Sequence, residues 1–145
     1  MGMKVKFRPL ETKDLELVFC WRSQPRIYKW ARHQSQALDW NEHEKWFETL
    51  PSSSFYYIME WSGRRVGLVG LDANDRVSIY IGDESATGNK VATRGLRWIC
   101  KKFADRAPLF AEIHIDNTSS KNLFKRVGFK LVSKNKNWET YKYSI

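Results

Sequence analysis

A short apolar strand, Val77-Ser78-Ile79-Tyr80-Ile81, ends at Gly82 and leads into the polar loop Asp83-Glu84-Ser85-Ala86-Thr87-Gly88-Asn89-Lys90. From Val91 to Phe103, apolar residues recur at steps of three and four, which is the pattern of an amphipathic helix. The first N–H groups of such a helix have no partner inside it, and the helix dipole adds positive potential at the same place. The segment therefore predicts an anion site, most often one for phosphate, at the start of this helix.

The chain continues with a second strand and helix. The strand from Leu109 to Ile115 runs into Asp116-Asn117-Thr118-Ser119-Ser120, and the helix that follows has Asn117 as its N-cap and stops at Gly128. Strand, loop, helix, strand and capped helix in this order predict an α/β unit whose functional edge lies at the C-terminal ends of the strands.

The other segments predict three helical pieces and five strands. The helical pieces are 12–22, capped by Thr12, a short one within 26–36, and 40–50, where Asp39 fits a capping box; the strands are 5–10, 55–61, 65–71, 129–132 and 138–143. Three consecutive strands and then a strand–helix–strand crossover predict a mixed sheet with helices on both faces. Because no internal repeat, low-complexity tract or linker is found, residues 1–145 are expected to form a single domain.

The composition is strongly basic and rich in aromatic residues. A formal net charge of +9 favours an anionic partner, such as nucleic acid, membrane headgroups or a phosphate-rich ligand, although a basic surface can also serve solubility alone. Aromatic residues make up 14% of the chain, which is more than a core of this size needs. Some of them are therefore expected to line a pocket or an interface.

Cysteine usage and the N-terminus bear on the compartment. Cys20 and Cys100 fall on apolar helical faces without metal-type spacing, which favours two reduced core thiols over a disulfide or a zinc site. The N-terminus has no signal-peptide pattern, and no apolar run reaches membrane-spanning length. These features predict a soluble, cytoplasmic protein with no metal and no membrane partner.

The predicted order of elements and three pieces of sequence resemble the GNAT superfamily of acyl-CoA-dependent N-acetyltransferases over essentially the whole chain. The most specific piece is Ile115-Asp116-Asn117-Thr118-Ser119-Ser120-Lys121-Asn122-Leu123-Phe124-Lys125-Arg126-Val127-Gly128-Phe129, which is similar to the family's ending of Asn, small residues, an aromatic, a basic residue and Gly-Phe. The resemblance implies the α/β GNAT-type fold, with a mixed, mostly antiparallel central sheet and helices on both faces. It also implies direct transfer of acetyl from acetyl-CoA, the co-substrate, to a primary amine.

The anion loop departs from the family's pattern of Gln or Arg, two residues, Gly, one residue, and Gly or Ala. In Thr87-Gly88-Asn89-Lys90-Val91-Ala92 only Ala92 fits, and Lys90 stands where the first glycine is expected. The resemblance still implies a coenzyme A site along the strand edge and this loop. Its predicted residues are Ile79, Tyr80, Ile81, Thr87, Gly88, Asn89, Lys90, Val91, Ala92 and Asn117.

Phe124 stands where many family members have a tyrosine that protonates the leaving thiolate. Phenylalanine cannot donate a proton. Either Ser119, Ser120 or water takes this role, or the role is dispensable.

Two histidines are candidates for the base that deprotonates the amine. His43 lies on the third helical piece, and His114 lies near the end of a strand whose alternation puts Glu112, His114 and Asp116 on one side. A histidine on a strand is also commonly structural. The predicted catalytic residues are His114, Asn117, Ser120 and His43.

The N-terminal half carries a narrower resemblance. The segments Cys20-Trp21-Arg22-Ser23-Gln24-Pro25-Arg26-Ile27-Tyr28-Lys29-Trp30 and Trp40-Asn41-Glu42-His43-Glu44-Lys45-Trp46-Phe47 are similar to a pattern of bacterial acetyltransferases of nucleotide-activated aminosugars, above all those of the pseudaminic-acid pathway. The resemblance implies a nucleotide-linked aminosugar as the acceptor. The predicted substrate-binding residues are Arg22, Arg26, Tyr28, Trp30 and His43.

The residue types in this half agree with such an acceptor. Aromatic faces suit a base or a sugar, and the guanidinium groups of Arg22, Arg26 and Arg32 suit a diphosphate. By periodicity, Trp21 and Trp46 are expected to pack in the core.

Three functions remain open at this point. The first is N-acetylation of a nucleotide-linked aminosugar, and the second is N-terminal acetylation of a protein such as a ribosomal subunit, which predicts an open groove. The third is a degenerate family member that acts as a basic binding module, although nucleic acid is the less favoured partner. The expected oligomeric state is a monomer or a homodimer.

Overall fold

The computed structural model describes residues 4–88 and 90–145. Its strands are β1 (Val5–Pro9), β2 (Phe55–Trp61), β3 (Arg64–Leu71), β4 (Val77–Ile81), β5 (Leu109–His114), β6 (Lys130–Asn135) and β7 (Trp138–Tyr143). Its α-helices are α1 (Leu15–Arg22), α2 (Pro25–Tyr28), α3 (Trp40–Glu48), α4 (Val91–Lys102) and α5 (Thr118–Val127). This is the predicted order of elements, and α2 is the short helical piece expected within 26–36.

The strands form two antiparallel sheets that meet at one point. The first sheet has the order β1-β2-β3-β4, and the second has the order β5-β7-β6. Between β4 and β5, which run parallel, the only backbone pairing among the described residues is the bridge from Arg76 to Phe110. The mixed, mostly antiparallel fold is thus confirmed, but its sheet is divided into two halves because β4 and β5 separate beyond this bridge.

Helices cover both faces of the first sheet, as predicted. Alternate residues of a strand point to opposite faces, and on β2 Tyr57 and Met59 join the core under α4 and α5, whereas Ile58 joins a smaller core with Val18 and Trp21 of α1. The face of α4 that packs inward consists of Val91, Gly95, Leu96, Ile99 and Cys100. A β4 side chain therefore faces α4 and α5 if it lies on one face of the sheet, and α1 if it lies on the other.

Two glycines let aromatic rings lie flat on the sheet. The ring of Tyr56 lies over Gly70, and the ring of Trp21 lies over Gly82, so that a Cβ on either glycine would overlap the ring. Trp21 is accordingly buried in the core, as its periodicity predicted.

The caps of the later helices are confirmed, and the cap of the first is different. Asp39 accepts a hydrogen bond from the N–H of Glu42, and Gly128 ends α5 with a φ of 118°. Thr12, however, begins a 3-10 turn, and α1 starts only at Leu15. The reason is Asp14, whose buried carboxylate accepts a hydrogen bond from the N–H of Glu11 and so fixes a tight turn before the helix.

Two further properties concern the cysteines and the helices. Cys100 is buried as predicted, but Cys20 is exposed on α1, so only one of the two free thiols is a core residue. Within residues 4–88 and 90–145, none of the helices combines the length and the apolar character that crossing a membrane requires.

Candidate functional site

The separation of β4 and β5 opens a cleft of about 1090 Å³ between the two half-sheets. Its walls come from β4, from Ala111, Glu112 and Ile113 of β5, from the start of α5, and from α1, α2, α3 and the loop after α2. Of the predicted site residues, those that line it are Arg22, Arg26, Tyr28, Trp30, Ile79, Tyr80, Ile81, Thr87, Ala92, Asn117 and Ser120. The cleft thus brings most of the predicted residues together.

On the edge of β4 that faces the cleft, backbone N–H groups have no partner among the described residues. The N–H of Gly82 donates to Val66 on β3 at 2.8 Å, and in an antiparallel ladder such bonds recur at every second residue. Tyr80 therefore turns its N–H towards β3, whereas Ile79 and Ile81 turn theirs towards the cleft. Of the three predicted backbone donors, Ile79 and Ile81 have the required direction and Tyr80 does not, because the register of β3 and β4 uses its amide.

The start of α4 has the conformation that a glycine would adopt. Lys90, at the N-cap, has a φ of 63°, and Gly88 has a φ of 80°. Lys90 thus takes the left-handed conformation expected of the glycine that it replaces, so the N–H groups of the first turn still point out of the helix. Ala92 in this turn lines the cleft, while Val91 is buried in the core. Asn89 lies outside the described residues.

At the start of α5, the Asn117 side chain both caps the helix and faces the cleft. Its Oδ1 accepts a hydrogen bond from the N–H of Ser120 at 3.2 Å, which leaves the Nδ2 hydrogens to donate to a ligand. Phe124 is buried with its edge against Phe129 and offers no proton. Ser119 and Ser120 are the hydroxyl-bearing residues of this helix turn that line the cleft.

His114 lies beside the cleft and is engaged with its own loop. Its Nδ1 lies 3.1 Å from the N–H of Asp116 and accepts a hydrogen bond from it, which puts the proton of a neutral ring on Nε2. The lone pair that a base needs is therefore already used. The ring packs between Trp30 and Trp138, with centroid distances of 5.6 and 5.2 Å. This geometry favours a structural role.

His43 is a core residue and does not line the cleft. It is 1% exposed, and its Nε2 donates to the carbonyl of Leu15 at 2.9 Å. Burial lowers the pKa of this imidazole below its usual value. Its predicted roles as a base and as a substrate ligand do not fit this position, because the ring lies behind Trp46, with which it stacks at 5.7 Å.

The arginines predicted for a diphosphate differ in how they are bound. Arg26 donates to the carbonyl oxygens of Ile81 and Gly82 and lies 3.0 Å from the Glu84 carboxylate. Arg32 is paired with Glu112, so both of these arginines are held by the protein itself. The guanidinium group of Arg22 instead lies over the Trp46 ring at 5.4 Å and makes no hydrogen bond or ion pair with any residue that the structure describes.

Several residues that line the cleft were missed by sequence reasoning. Trp46 was expected in the core but forms part of the wall, and Tyr56 packs against it at 5.3 Å. Ser78 also lines the cleft, and Tyr80, which was predicted only for its backbone, places its side chain there on the side of α1. A hydroxyl at every second position of an otherwise apolar strand is a signal that could have indicated this polar side of the cleft.

Comparison with known proteins agrees with this architecture. A sequence model of the family described as acetyltransferase (GNAT) domain matches residues 4–130. A curated but uncharacterized protein of Methanocaldococcus jannaschii is 29% identical over 140 residues, which cover 90% of this chain. The chain spans 29% of the length of that relative.

Solved structures show the same fold over the whole chain. The crystal structure of a domain from Methanocaldococcus jannaschii is similar with a TM-score of 0.91 at 26% identity, covering 99% of this chain and 100% of that one. A spermidine N-acetyltransferase from Vibrio cholerae, solved with CoA and spermine, has a TM-score of 0.80 at 13% identity, covering 95% of this chain and 92% of that one, a likeness of fold alone. With the family match over residues 4–130, the predicted family is confirmed, and the chain belongs to the family of acetyltransferase (GNAT) domains.

Proposed function

We propose that this chain acts as one catalytic domain that acetylates the primary amine of a small molecule bound in the cleft, and that this acceptor is a nucleotide-linked aminosugar. The observation that carries the proposal is the junction of three features at one cleft: the open edge of β4, the start of α4 and the Asn117 side chain. Together they offer backbone and side-chain donors along one path, which suits a long, amide-containing molecule with a phosphate end.

Acetyl-CoA, as the co-substrate, supplies a thioester that an unprotonated amine can attack with release of the thiolate. The N–H groups of Ile79 and Ile81 suit the amide arm of this molecule and the developing charge on the thioester oxygen. The first turn of α4 suits its pyrophosphate, and Asn117 Nδ2 suits one of its carbonyl oxygens.

Proton transfer is assigned to water and to the serines of α5. A new C–N bond forms as the C–S bond breaks, the amine loses a proton and the thiolate gains one. Neither His43 nor His114 has a lone pair directed into the cleft, so the amine proton passes to water. Ser120, one turn before Phe124, lines the cleft and is the proposed relay of a proton to the thiolate.

The aminosugar part of the proposal rests on the wall formed by α1, α2 and α3. Tyr28, Trp30 and Trp46 provide aromatic faces for a base or a sugar ring, and Arg22 provides a guanidinium group that no described residue binds through a hydrogen bond or an ion pair. Because Arg26 and Arg32 are held by protein groups, Arg22 is the one of these three arginines that we assign to the phosphate contact.

Two measurements test this proposal. Calorimetry with acetyl-CoA is expected to give micromolar binding that Asn117→Ala weakens, whereas Lys136→Gln, in the turn between β6 and β7, has no effect. Release of free thiol is then followed with a nucleotide-linked aminosugar, spermidine and a peptide with a free N-terminal serine. Turnover of the peptide alone would favour a protein acetyltransferase, and no binding of acetyl-CoA at low salt would contradict the proposal altogether.

A further inference from the structure

We infer that Arg22 and the Tyr80 hydroxyl form a subsite for an anionic oxygen group, a carboxylate or a phosphate, that the acceptor carries beside its amine. This inference rests on the proposed function, because it assigns a substrate class to the same cleft. It gives the Tyr80 side chain a role in specificity that is separate from the strand edge on which the residue lies.

The Tyr80 hydroxyl is a buried donor without an acceptor. Its oxygen is shielded from solvent and has no hydrogen-bond partner among the described residues, although the side chain lines the cleft. The edge-to-face contact with Trp21, at 6.2 Å, fixes the ring. Burial raises the pKa of this hydroxyl well above its usual value, so that the group remains a donor over the whole working pH range. A buried hydroxyl of this kind is rarely left unpaired in a functional complex.

Arg22 supplies a second donor on the same wall of the cleft. Its guanidinium group lies over Trp46, whose ring in turn meets Tyr56, and no described residue accepts its hydrogen bonds. Tyr56 and Tyr80 both pack against the core that contains Trp21, the residue before Arg22, and Arg22, Tyr56 and Tyr80 all line the same cleft. Arg76, which also lines the cleft, lies by contrast 3.5 Å from the Glu112 carboxylate.

The register of the sheet explains why these groups converge. Tyr56 pairs with Gly70, which pairs with Ser78, so Tyr56 and Tyr80 lie on the same face two strands apart. Because Gly70 has no side chain, the Tyr56 ring can lie over β3 and close the space beside Tyr80. The glycine thereby shapes a small space bordered by two phenols and one cation.

The chemistry of this space selects a class of acceptor. A guanidinium group and a phenol are both hydrogen-bond donors, and together they match the oxygens of a carboxylate or a phosphate. A second ammonium group placed there would be repelled by Arg22 and would leave both donors unpaired. The subsite therefore favours acidic amines and disfavours polyamines.

Matched pairs of amines test the subsite and separate its two possible ligands. The ratio of kcat/KM is measured for glucosamine 6-phosphate against glucosamine, and for serine against serine amide, with spermidine as a polycation. The charged amine of one pair is expected to be the better substrate. This is glucosamine 6-phosphate if the subsite binds a phosphate, and serine if it binds a carboxylate. Arg22→Gln and Tyr80→Phe are each expected to reduce this preference about tenfold or more, which is the effect of losing a hydrogen bond to a charged group.

The controls keep the outcomes distinct. Lys136→Gln removes a positive charge outside the cleft and is expected to leave the preference unchanged, and Tyr80→Phe retains the ring that packs on Trp21. Acetylation of neutral and charged amines at equal rates, or a preference that survives both cleft variants, would overturn the subsite and leave the proposed function standing. Failure to acetylate any amine would contradict both.

Discussion

The ring of Tyr56 on β2 lies directly on Gly70 of β3, its partner across the strand pair. This contact joins the stability of the first sheet to the shape of the cleft, because Tyr56 is at once a packing residue and part of the wall.

Gly70→Ala is expected to destabilise the protein by about 1–3 kcal/mol, since the new methyl group overlaps the ring and forces it towards the cleft. Urea unfolding measures this change. In a Tyr56→Ala background the same substitution is expected to cost much less, because the overlapping ring is gone. Equal costs in the two backgrounds would show that the contact with Tyr56 is not the cause.

Lys90→Gly is expected to raise the free energy of unfolding by about 1 kcal/mol, because a left-handed conformation is unfavourable for a residue with a side chain. The matched control is Lys136→Gly, at a position without positive φ, where added freedom of the unfolded chain is expected to lower stability. If both substitutions lower stability alike, the left-handed conformation at Lys90 is not strained.

Asn117→Asp separates the two roles of the Asn117 side chain. The aspartate retains an oxygen that can accept from the Ser120 N–H, so stability at neutral pH is expected to be unchanged or higher. It lacks the Nδ2 donor, so kcat/KM for acetyl-CoA is expected to fall about tenfold or more. Asn117→Ala is expected to lose the cap as well, with a cost of about 1 kcal/mol. An aspartate variant with full activity would exclude the donor role.

Asp14 is expected to make stability depend on pH in the acid range. Burial alone would raise the pKa of this carboxyl, but hydrogen bonds from Arg8, the Glu11 N–H and Arg65 outweigh burial and lower it. Since the folded-state pKa lies below that of the unfolded chain, about 3.9, the stabilisation is present above that pH and is lost as the pH falls below it.

The matched variants for this test are Asp14→Asn and Glu16→Gln, the latter at an exposed position of α1. At pH 7 the Asp14 variant is expected to lose about 2 kcal/mol, and its stability should change less than that of the wild type below pH 4. The exposed variant should resemble the wild type. An Asp14 variant with an unchanged acid transition would contradict the prediction.

His43 is expected to make stability depend on pH at higher pH values than Asp14 does. Burial lowers the pKa of this imidazole, so the unfolded chain binds a proton more readily than the folded protein once the pH falls below about 6.5. Stability that is present above that value is therefore lost as the pH falls towards the folded-state pKa. Thermal unfolding between pH 7 and pH 5 is expected to show this loss, and His43→Gln is expected to reduce it, whereas His33→Gln, at an exposed position, is not.

Local features of this chain could be predicted from its sequence. The caps at Asp39 and Asn117 and the end of α5 at Gly128 depend on a few neighbouring residues, and they are found where the pattern indicates them. The cap of the first helix was wrong because Asp14 is held by Arg8 on β1 and Arg65 on β3, which no local pattern reveals.

Features that depend on register or packing were not available from the sequence. The direction of the Tyr80 amide follows from its pairing with β3, and the burial of His43 follows from the position of Leu15 on α1. Whether Trp46 faces the core or the cleft likewise depends on how α3 sits against β2, since both outcomes have the same periodicity. The candidate site was therefore predicted in its outline and misjudged at individual side chains.

β4 pairs with β3 on one edge, but on the other edge the bridge between Arg76 and Phe110 is the single backbone pairing to β5 among the described residues, so most of that edge has no neighbouring strand. A molecule that bonds to the amides of Ile79 and Ile81 would occupy the place of that missing strand. Binding of such a ligand would then stabilise the folded state through these backbone groups. The unfolding temperature should therefore rise with the concentration of the ligand, and the exchange of these two amide hydrogens with solvent should become slower. The gap in the sheet makes the bound molecule a structural element of the protein as well as its substrate.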